Sequence, residues 1–389
     1  MAKSKSIKRV LIVIVLAQFL CTSIWFASNG VINDLITTFS FSGSALGHLT
    51  SAIQFGFIVG TLLFAIFTIS DRYSPSKVFF VCAIIAALCN IGVLWENHSF
   101  WSIILLRSLT GVFLAGIYPV GMKIAADYFD HGLGISLSYL VGALVLGTAL
   151  PHLISALTIS FSWKSVFITT SALSIIGGLL MVFLVPDGPY RKPSQRFDFS
   201  AFYSVFKDFK FRSAAFGYFG HMWELYTFWA FIPYLLVIFK STHSIQSINV
   251  PLWSFLIIAV GAVSCVIGGH ISKIFGVKRT AFIALLASGL CCLVAPFILA
   301  INSTFICLSF FLFWGMVVIT DSPLFSTLVA KNATPNIKGT ALTIVNCIGF
   351  AITILSIQLI SYLVNLTDSN TVFMLLAVGP ILGLIALNK

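Results

Sequence analysis

The stretch PDGPYRKPSQRFDFSAFYSVFKDFKFR, residues 186–212, is the one long polar interruption in an otherwise apolar chain. Its prolines, its glycine and its charges of both signs are typical of a linker, and AFYSVFKDFKF (residues 201–211) predicts a short amphipathic helix at a membrane surface. Six apolar segments precede this stretch and six follow it. We therefore predict a six-helix bundle over residues 1–185, a linker over 186–210 and a second six-helix bundle over 211–389.

The composition identifies the solvent of most of the chain. Of the 389 residues, 59% are hydrophobic and only 8% are charged, whereas soluble domains carry about 25% charged residues. A helix that crosses a bilayer needs about 20 mostly apolar residues, and such stretches recur along the whole sequence. The sequence thus predicts an all-α integral membrane protein with twelve transmembrane helices in two pseudo-symmetric six-helix bundles. We place the spans at 9–33, 46–70, 77–95, 99–123, 133–157, 163–185, 211–239, 250–272, 278–300, 304–330, 338–363 and 371–388.

The formal net charge of +11 is explained by topology. If the N-terminus lies inside, most Lys and Arg residues fall in inner segments, whereas Lys164 and Lys240 fall in outer loops. This is the bias of the positive-inside rule. It predicts a multi-pass protein of the inner (plasma) membrane with both termini in the cytoplasm, and its first apolar run is a span rather than a cleaved signal peptide. Because topology accounts for the basic residues, we expect no nucleic-acid partner.

The cysteine positions and the lack of known phosphate-binding and catalytic motifs limit the chemistry to be expected of this sequence. All eight cysteines fall within predicted spans, without the spacing of a metal site, so we expect free thiols that pack, no metal and no cofactor. The sequence contains no Gly-Lys-Ser/Thr phosphate-binding loop and no cluster of catalytic residues. We therefore expect neither ATP hydrolysis nor another enzymatic activity.

The two halves resemble each other at an offset of a little more than 200 residues. Tyr118-Pro119 lies near the inner end of span four, and Ser322-Pro323 lies at the same place in span ten. The segments that follow read GISLSYLVGALVLG from residue 134 and GTALTIVNCIGFAI from residue 339. Loop two–three reads SDRYSPSK and loop eight–nine reads SKIFGVKR. Taken in the same order, these pairs indicate the duplication of a six-helix unit.

Two short motifs join this architecture to a known family. ISDRYSPSK (residues 69–77) is similar to the motif Gly-x-x-x-Asp-Arg-x-Gly-Arg-Lys, with Phe67 and Ser74 in place of the two glycines. Its second copy keeps Gly276, and RSLTGVFLAG (residues 107–116) matches the Arg-x-x-x-Gly motif of span four. With six plus six spans around an inner linker, the chain resembles the major facilitator superfamily over its whole length.

This resemblance implies a carrier that works by alternating access, in which two bundles rock around a site at the membrane midplane. It also implies a gate at the inner face. In the family, the acid of the loop two–three motif contacts the start of span eleven, so Asp71 and Arg72 are the expected gating residues, and residues 336–339 offer the helix N-terminus.

Ionisable residues inside predicted spans are the first candidates for a functional site. A charge at the bilayer centre costs at least about 2.5–3.5 kcal/mol, so each such group needs a reason. The clearest cases are Arg107 in span four, Glu224 in span seven and Asp321 in span ten. His221 and His152 are the next candidates. Arg107 is expected to bind an anionic group of a substrate or, alternatively, to bond the backbone of span one.

Spans one and seven carry matching polar stripes. Gln18, Thr22, Trp25 and Asn29 follow one another at intervals of 4, 3 and 4, which predicts one helical face. Trp25 and Asn29 are expected to bind substrate, although such a stripe can also hold packed helices together. Tyr118, in span four, is predicted to shape the pocket with them.

Span seven adds His221, Trp223 and Glu224. Glu224 lies near the middle of its span, where a carboxylate is either paired or protonated, so it is predicted to carry a proton. His221 lies one turn away and could share that proton, or the two could form a static bond between helices. Asp321 beside its helix break is predicted to bind a proton, a cation or a substrate amine, or else its own helix.

These observations predict a monomeric, proton-coupled carrier for a small polar or charged metabolite, carboxylated or zwitterionic. The richness in aromatic residues leaves a second reading open, proton-driven efflux of amphipathic compounds. A channel or a receptor without coupled transport is the alternative from another class.

Overall fold

The computed structural model describes residues 2–95, 97–128, 133–158, 162–191, 201–334, 337–367 and 369–388. Every regular element in these ranges is a helix, which confirms the all-α prediction. The α-helices are α1 (Ala2–Thr22), α2 (Ile32–Phe39), α3 (Ala45–Ile66), α4 (Ile69–Arg72), α5 (Pro75–Gly92), α6 (Phe100–Leu114), α7 (Tyr118–Tyr128), α8 (Leu133–Leu157), α9 (Lys164–Leu184), α10 (Ala201–Ser204), α11 (Phe209–Thr242), α12 (Val250–Phe275), α13 (Val277–Ala300), α14 (Thr304–Thr320), α15 (Ser322–Asn332), α16 (Lys338–Leu366) and α17 (Val378–Asn388). Short 3-10 helices cover Asn29–Val31, Val205–Lys207 and Asn370–Ala377.

Within these ranges, 11 helical segments are long and apolar enough to cross a membrane. The predicted first span differs from them, because its apolar helix covers only Arg9–Thr22 and residues 23–28 form turns. The segment predicted as the span 9–33 is therefore helical only in part and broken after Thr22. With this broken segment included, the arrangement has the twelve spans and two related bundles that the sequence predicts.

Spans four and ten are broken at equivalent places. The first changes from α6 to α7 across residues 115–117, and the second changes from α14 to α15 at Asp321. Pro119 and Pro323 each lie in the first turn of the second helix, where the missing backbone N–H of proline has no intrahelical partner to lose. The two Pro-containing pairs that the sequence analysis matched thus have the same structural position.

The two bundles meet along two helix pairs, α8 with α12 and α3 with α16. Small residues allow close approach there: a Cβ atom on Gly47 would collide with Ser361, and one on Gly142 would lie 3.1 Å from the carbonyl oxygen of Ala262. The side chain of Gln358 in α16 adds polar contacts, since its Nε2 donates to the carbonyl oxygen of Gly47 at 3.0 Å and to Oγ of Ser51 at 2.7 Å.

The linker lies beside α4 and the first turn of α11, and we call this end of the molecule the linker end. Arg191 holds the start of the linker to the first bundle, because its Nη2 donates to the carbonyl oxygens of Asp71 and Tyr73, each at 2.7 Å. Residues 192–200 lie outside the described part of the chain. The single amphipathic helix predicted over 201–211 is instead α10, a 3-10 turn and the start of α11, because Asp208 caps α11 by accepting the N–H of Phe211 at 2.7 Å.

Candidate functional site

Five aromatic side chains fill the centre of the molecule, where the two bundles meet. Trp25 and Phe57 come from the first bundle, and Tyr226, Trp229 and Phe350 come from the second. The ring centroids of Trp25 lie 5.9 Å from those of Tyr226 and Phe350, and the Phe57 and Phe350 rings lie 4.5 Å apart. All five side chains are buried, and we call this group the central aromatic cluster. It closes the centre of the molecule in this conformation.

Trp25 reaches the central aromatic cluster from the break in span one. Because α1 ends at Thr22, the carbonyl groups that follow lack the hydrogen bonds of a continuing helix, although that of Ile24 accepts the N–H of Ala27 at 3.4 Å. Arg107 satisfies two of them: its Nη2 donates to the carbonyl oxygen of Ile24 at 3.1 Å and to that of Trp25 at 2.6 Å. The positive charge also suits the C-terminal end of a helix. Arg107 therefore forms the contact with the span-one backbone that the sequence analysis held as its alternative.

The other terminal nitrogen of Arg107 enters a second network. Nη1 donates to Oδ1 of Asn90 in α5 at 2.8 Å, and Nδ2 of Asn90 lies 3.1 Å from Oγ1 of Thr170 and 3.0 Å from Oγ of Ser171. The guanidinium thus links spans one, three and four, and span six through Asn90. Both of its terminal nitrogens are occupied in this conformation, so a role for Arg107 in binding a substrate anion stays a prediction.

The remaining polar residues of span one do not share one helical face, and that prediction is wrong because the helix ends before Trp25 and Asn29. Asn29 lies in a 3-10 turn, and its Nδ2 donates to Oγ1 of Thr50 in α3 at 2.9 Å. Thr22 returns its hydroxyl to the carbonyl oxygen of Gln18 at 2.8 Å. The Gln18 side chain is fully buried and has no described hydrogen-bond partner.

Glu224 lies in the middle of α11 with two neutral donors. Nε1 of Trp314 donates to its Oε1 at 2.7 Å, and Oγ of Ser288 donates to its Oε2 at 2.9 Å. No Lys, Arg or His of the described chain lies within ion-pair distance of this carboxyl group, which is only 1% exposed. Such surroundings hold a carboxyl group in position without neutralising it.

His221 pairs with Asp321 and not with Glu224. Nδ1 of His221 lies 2.8 Å from Oδ1 of Asp321, and both side chains are fully buried. The prediction that His221 and Glu224 share a proton is therefore wrong. The His221 side chain points to the break before α15, whereas the Glu224 side chain points to α13 and α14. Nε2 of His221 and Oδ2 of Asp321 have no described hydrogen-bond partner.

Tyr118 and Trp223, the other residues predicted to contact substrate, lie in different surroundings. Tyr118 opens α7 beyond the break in span four and is partly buried against the hydrophobic core. Trp223 is half-buried, and its Nε1 donates to the carbonyl oxygen of Leu375 in span twelve at 3.0 Å. The structure therefore packs Tyr118 against the core and directs the Trp223 indole to the last span.

The predicted gating residues lie at the linker end. Oδ1 of Asp71 lies 2.7 Å from Nζ of Lys123 in α7, and Nε of Arg72 donates to Oγ1 of Thr68 at 3.2 Å. Asp71 thus forms an ion pair inside the first bundle, and its expected contact with the start of span eleven stays a prediction. Residues 335 and 336, part of that helix start, lie outside the described chain.

The sequence analysis missed Asn90, Ser288, Trp314 and Gln54. Asn90 and Gln54 are polar residues in the middle of apolar spans, which is a readable signal. Gln54 is fully buried, and neither of its side-chain polar atoms has a described partner. Nothing in the sequence distinguishes Trp314 or Ser288 from ordinary packing residues, because their role depends on the packing of α13 and α14 against α11.

No group of three or more His, Cys, Asp and Glu residues within the described ranges could hold a metal ion. The two buried acids of the second bundle have separate partners: Glu224 bonds only neutral donors, and Asp321 pairs with one histidine. The chemistry that this arrangement supports is the gain and loss of protons by buried groups.

Comparisons with known proteins agree with this architecture. The family model described as Major Facilitator Superfamily matches residues 14–357. The candidate transporter AraJ of Escherichia coli (strain K12) is 25% identical over 187 residues, which are 46% of this chain and 45% of AraJ, so the match spans about half the length of that relative.

Two solved structures share the fold over nearly their full length. The proton:xylose symporter XylE has a TM-score of 0.77 at 14% identity, with 98% of this chain and 95% of that chain covered. The human organic anion transporter MFSD10 has a TM-score of 0.73 at 16% identity, with 98% of this chain and 99% of that chain covered. At these identities the likeness shows the fold alone.

Proposed function

The chain belongs to the major facilitator superfamily of transporters, and from that premise we propose that it is a secondary active transporter that couples the movement of a small polar metabolite to protons. The proposal places it in the inner membrane as a monomer, with the linker end in the cytoplasm. The observation that carries the coupling is the position of Glu224, buried at the centre of the second bundle with two neutral donors and no described cation.

Proton coupling follows from the cost of a buried charge. An uncompensated carboxylate in an apolar interior is strongly disfavoured, so Glu224 takes up a proton when its site is closed and can release it when water enters. The His221–Asp321 pair is a second site of the same kind, because one proton fewer or more changes its net charge. We propose that Glu224, His221 and Asp321 form the coupling sites.

The charge distribution narrows the substrate class. The one buried arginine of span four donates from its terminal nitrogens to two carbonyl oxygens and to Asn90, and its Nε has no described partner. A carboxylate that pairs with two nitrogens of the guanidinium would therefore have to displace some of these partners. Gln18, Gln54 and the Nε1 atom of Trp25 are buried without described partners, which leaves uncharged donors and acceptors for a ligand. We therefore favour a polar metabolite rich in hydroxyl or amide groups, with any positive group, such as the amine of a zwitterion, directed to the acids of the second bundle.

Alternating access accounts for the contacts between the bundles. The bonds of Gln358 with Gly47 and Ser51 lie at the end opposite the linker, and the central aromatic cluster lies between them and the linker end. We propose that these contacts separate when the site opens to the outside. At the other end, the Asp71–Lys123 pair and Arg72 would change partners as the cytoplasmic gate opens.

The central aromatic cluster favours a second candidate function. Stacked Trp, Tyr and Phe rings bind flat apolar or cationic compounds, so proton-driven efflux of amphipathic molecules would use the same coupling groups. The two candidate functions differ in the compound that binds at the centre and in the direction of its transport. Both use the proton gradient as their source of energy.

A ligand screen followed by a flux assay tests the proposal. Purified protein is melted in the presence of sugars, nucleosides, amines, amino acids and amphipathic cations, since a ligand that binds the folded state raises the melting temperature. Each hit is then offered to proteoliposomes with an imposed pH gradient. We expect saturable accumulation against the solute gradient that a protonophore abolishes. Unsaturable, strictly downhill flux would instead identify a channel.

A further inference from the structure

A basic cavity at the linker end of the second bundle has no part in the transport proposal. It has a volume of about 330 Å³ and lies between the first turns of α11 and α13 and the last turns of α15 and α17. Its lining residues are Phe209, Lys210, Ser213, Ala214, Lys278, Leu328, Lys331, Asn332 and Leu387. The lysines come from three different helices, so the cavity has been assembled by the fold and not by a run of basic sequence.

The charges of this cavity are not compensated within the described protein. No Asp or Glu is among its lining residues, and no described acid lies within ion-pair distance of Lys210, Lys278 or Lys331. The N-terminal ends of α11 and α13 bring partial positive charge to the cavity and the C-terminal ends of α15 and α17 bring partial negative charge, so its net charge comes from the three lysines. Three lysines that line one cavity with no described counter-charge repel one another, and a bound anion relieves that repulsion.

The floor and the rim of the cavity are apolar. Ala214 and Leu387 are 3% and 2% exposed at its base, whereas Phe209 at its edge is 45% exposed. Nearby, Ile274 and Phe275 at the end of α12 are 78% and 58% exposed, as side chains that contact acyl chains are. A ligand that suits this place has an anionic head for the lysines and a hydrocarbon tail for the exposed apolar surface.

We propose that this cavity binds the phosphate group of an anionic phospholipid from the leaflet at the linker end. Basic recesses between transmembrane helices at a membrane interface have the chemistry that lipid phosphates require. Free phosphate shares the charge but lacks the tail, so the two sources can be distinguished. The site lies on the second bundle alone, so its occupancy stabilises that bundle in either conformation.

The test uses the full-length protein in detergent, with apparent affinities from native mass spectrometry. We expect phosphatidylglycerol to bind more tightly than phosphatidylcholine of the same acyl chains. A lysine near an anionic lipid surface contributes about fivefold in affinity, so K210Q/K278Q/K331Q should lose about a hundredfold of the phosphatidylglycerol affinity. The variant K210R/K278R/K331R, which keeps the charges, should retain it.

A matched control removes the same charge elsewhere. Lys77, Lys273 and Lys338 are exposed lysines at the linker end that do not line the cavity, so K77Q/K273Q/K338Q should bind phosphatidylglycerol as the wild type does. If both triple Gln variants lose the same phosphatidylglycerol affinity, the proposed site is wrong, and a general attraction of the basic surface for anionic lipid explains the binding. If inorganic phosphate binds as tightly as phosphatidylglycerol, so that the acyl chains add no affinity, the proposal of a lipid ligand is wrong. Thermal melting of each variant without lipid identifies any variant that fails to fold. If the triple Gln variant fails to fold, K210R/K278R/K331R still tests whether positive charge at these positions is enough for lipid binding.

Discussion

At the scale of single residues, the contrast between Arg107 and Glu224 shows how a membrane protein uses its few buried charges. Arg107 bonds three fixed oxygen atoms, so its charge is distributed over a rigid network. Glu224 accepts from two neutral donors and has no described cation. The arginine therefore maintains the break in span one, whereas the carboxyl group can gain or lose a proton without breaking an ion pair.

Glu224→Gln should abolish the coupling of transport to pH. Glutamine keeps an oxygen acceptor for Trp314, and its amide can donate to Ser288, so the variant should fold. Where one proton moves with each substrate, the equilibrium accumulation ratio of the substrate changes by about tenfold for each pH unit of gradient. In proteoliposomes with a pH gradient, we expect E224Q to lose uphill accumulation while it retains downhill exchange. The exposed acid Asp34 provides the control D34N. Undiminished uphill accumulation by E224Q would assign Glu224 a structural role.

Arg107→Gln should destabilise the protein. Its removal leaves the carbonyl oxygen of Trp25 and Oδ1 of Asn90 without a described donor, whereas the carbonyl oxygen of Ile24 keeps the N–H of Ala27. Each buried acceptor left unpaired costs about 1–3 kcal/mol. We expect R107Q to melt well below the wild type, whereas R9Q, which removes an exposed arginine, should not. If R107Q melts normally and loses only the stabilisation by ligand, Arg107 binds substrate directly.

At the scale of elements, the two copies of the loop motif show which glycines the backbone requires. In the second copy, Gly276 has φ +87° and ψ 146°, between α12 and α13. In the first copy, Ser74 holds the equivalent place with φ −60° and ψ 122°, which any residue adopts, and its hydroxyl donates to Asp187. The departure of the first copy from the family motif is thus explained by its local conformation.

Gly276→Ala should lower the free energy of unfolding by about 1–3 kcal/mol, because side chains are strained at this φ and ψ. A Cβ atom would meet no neighbour within 4 Å at Gly276 or at Gly339, so packing does not enter the comparison. Gly339 lies in the first turn of α16 with no positive φ, and G339A should leave stability unchanged or raise it. Thermal melting of both variants measures the difference, and equal melting temperatures would contradict the strain.

At the scale of the whole molecule, the sequence predicts what depends on hydrophobicity and repetition. The span count, the two bundles and the matched breaks of spans four and ten follow from apolar length and from proline. The break of span one could not be predicted, because nothing in its apolar sequence forbids a helix and the donor that stabilises its free carbonyls comes from span four. The partner of His221 was likewise inaccessible, since it depends on which way α15 turns after Asp321.

The same limit applies to the site. The sequence identified the buried arginine and the buried acids, because ionisable residues are rare in apolar segments. It identified Trp25 by its place in the polar stripe of span one. It could not identify Trp314 and Ser288 as partners of Glu224, or Phe350 as a neighbour of Trp25. These contacts are set by the packing of one helix on another, which leaves no mark in a single sequence of apolar residues.

Rocking of the two bundles can be tested by joining them at the end opposite the linker. Nε2 of Gln358 lies 2.7 Å from Oγ of Ser51, across the α3–α16 contact. In a background without native cysteines, the S51C/Q358C pair should form a cross-link that holds this end closed. Because alternating access requires this contact to separate, oxidation should abolish transport and a reductant should restore it. The control T158C/S165C joins spans five and six within the first bundle, where the hydroxyl oxygens lie 3.1 Å apart, and should cross-link without loss of transport. Transport by fully cross-linked S51C/Q358C would show that the bundles do not separate at α3 and α16, and the proposed alternating access would have to be abandoned.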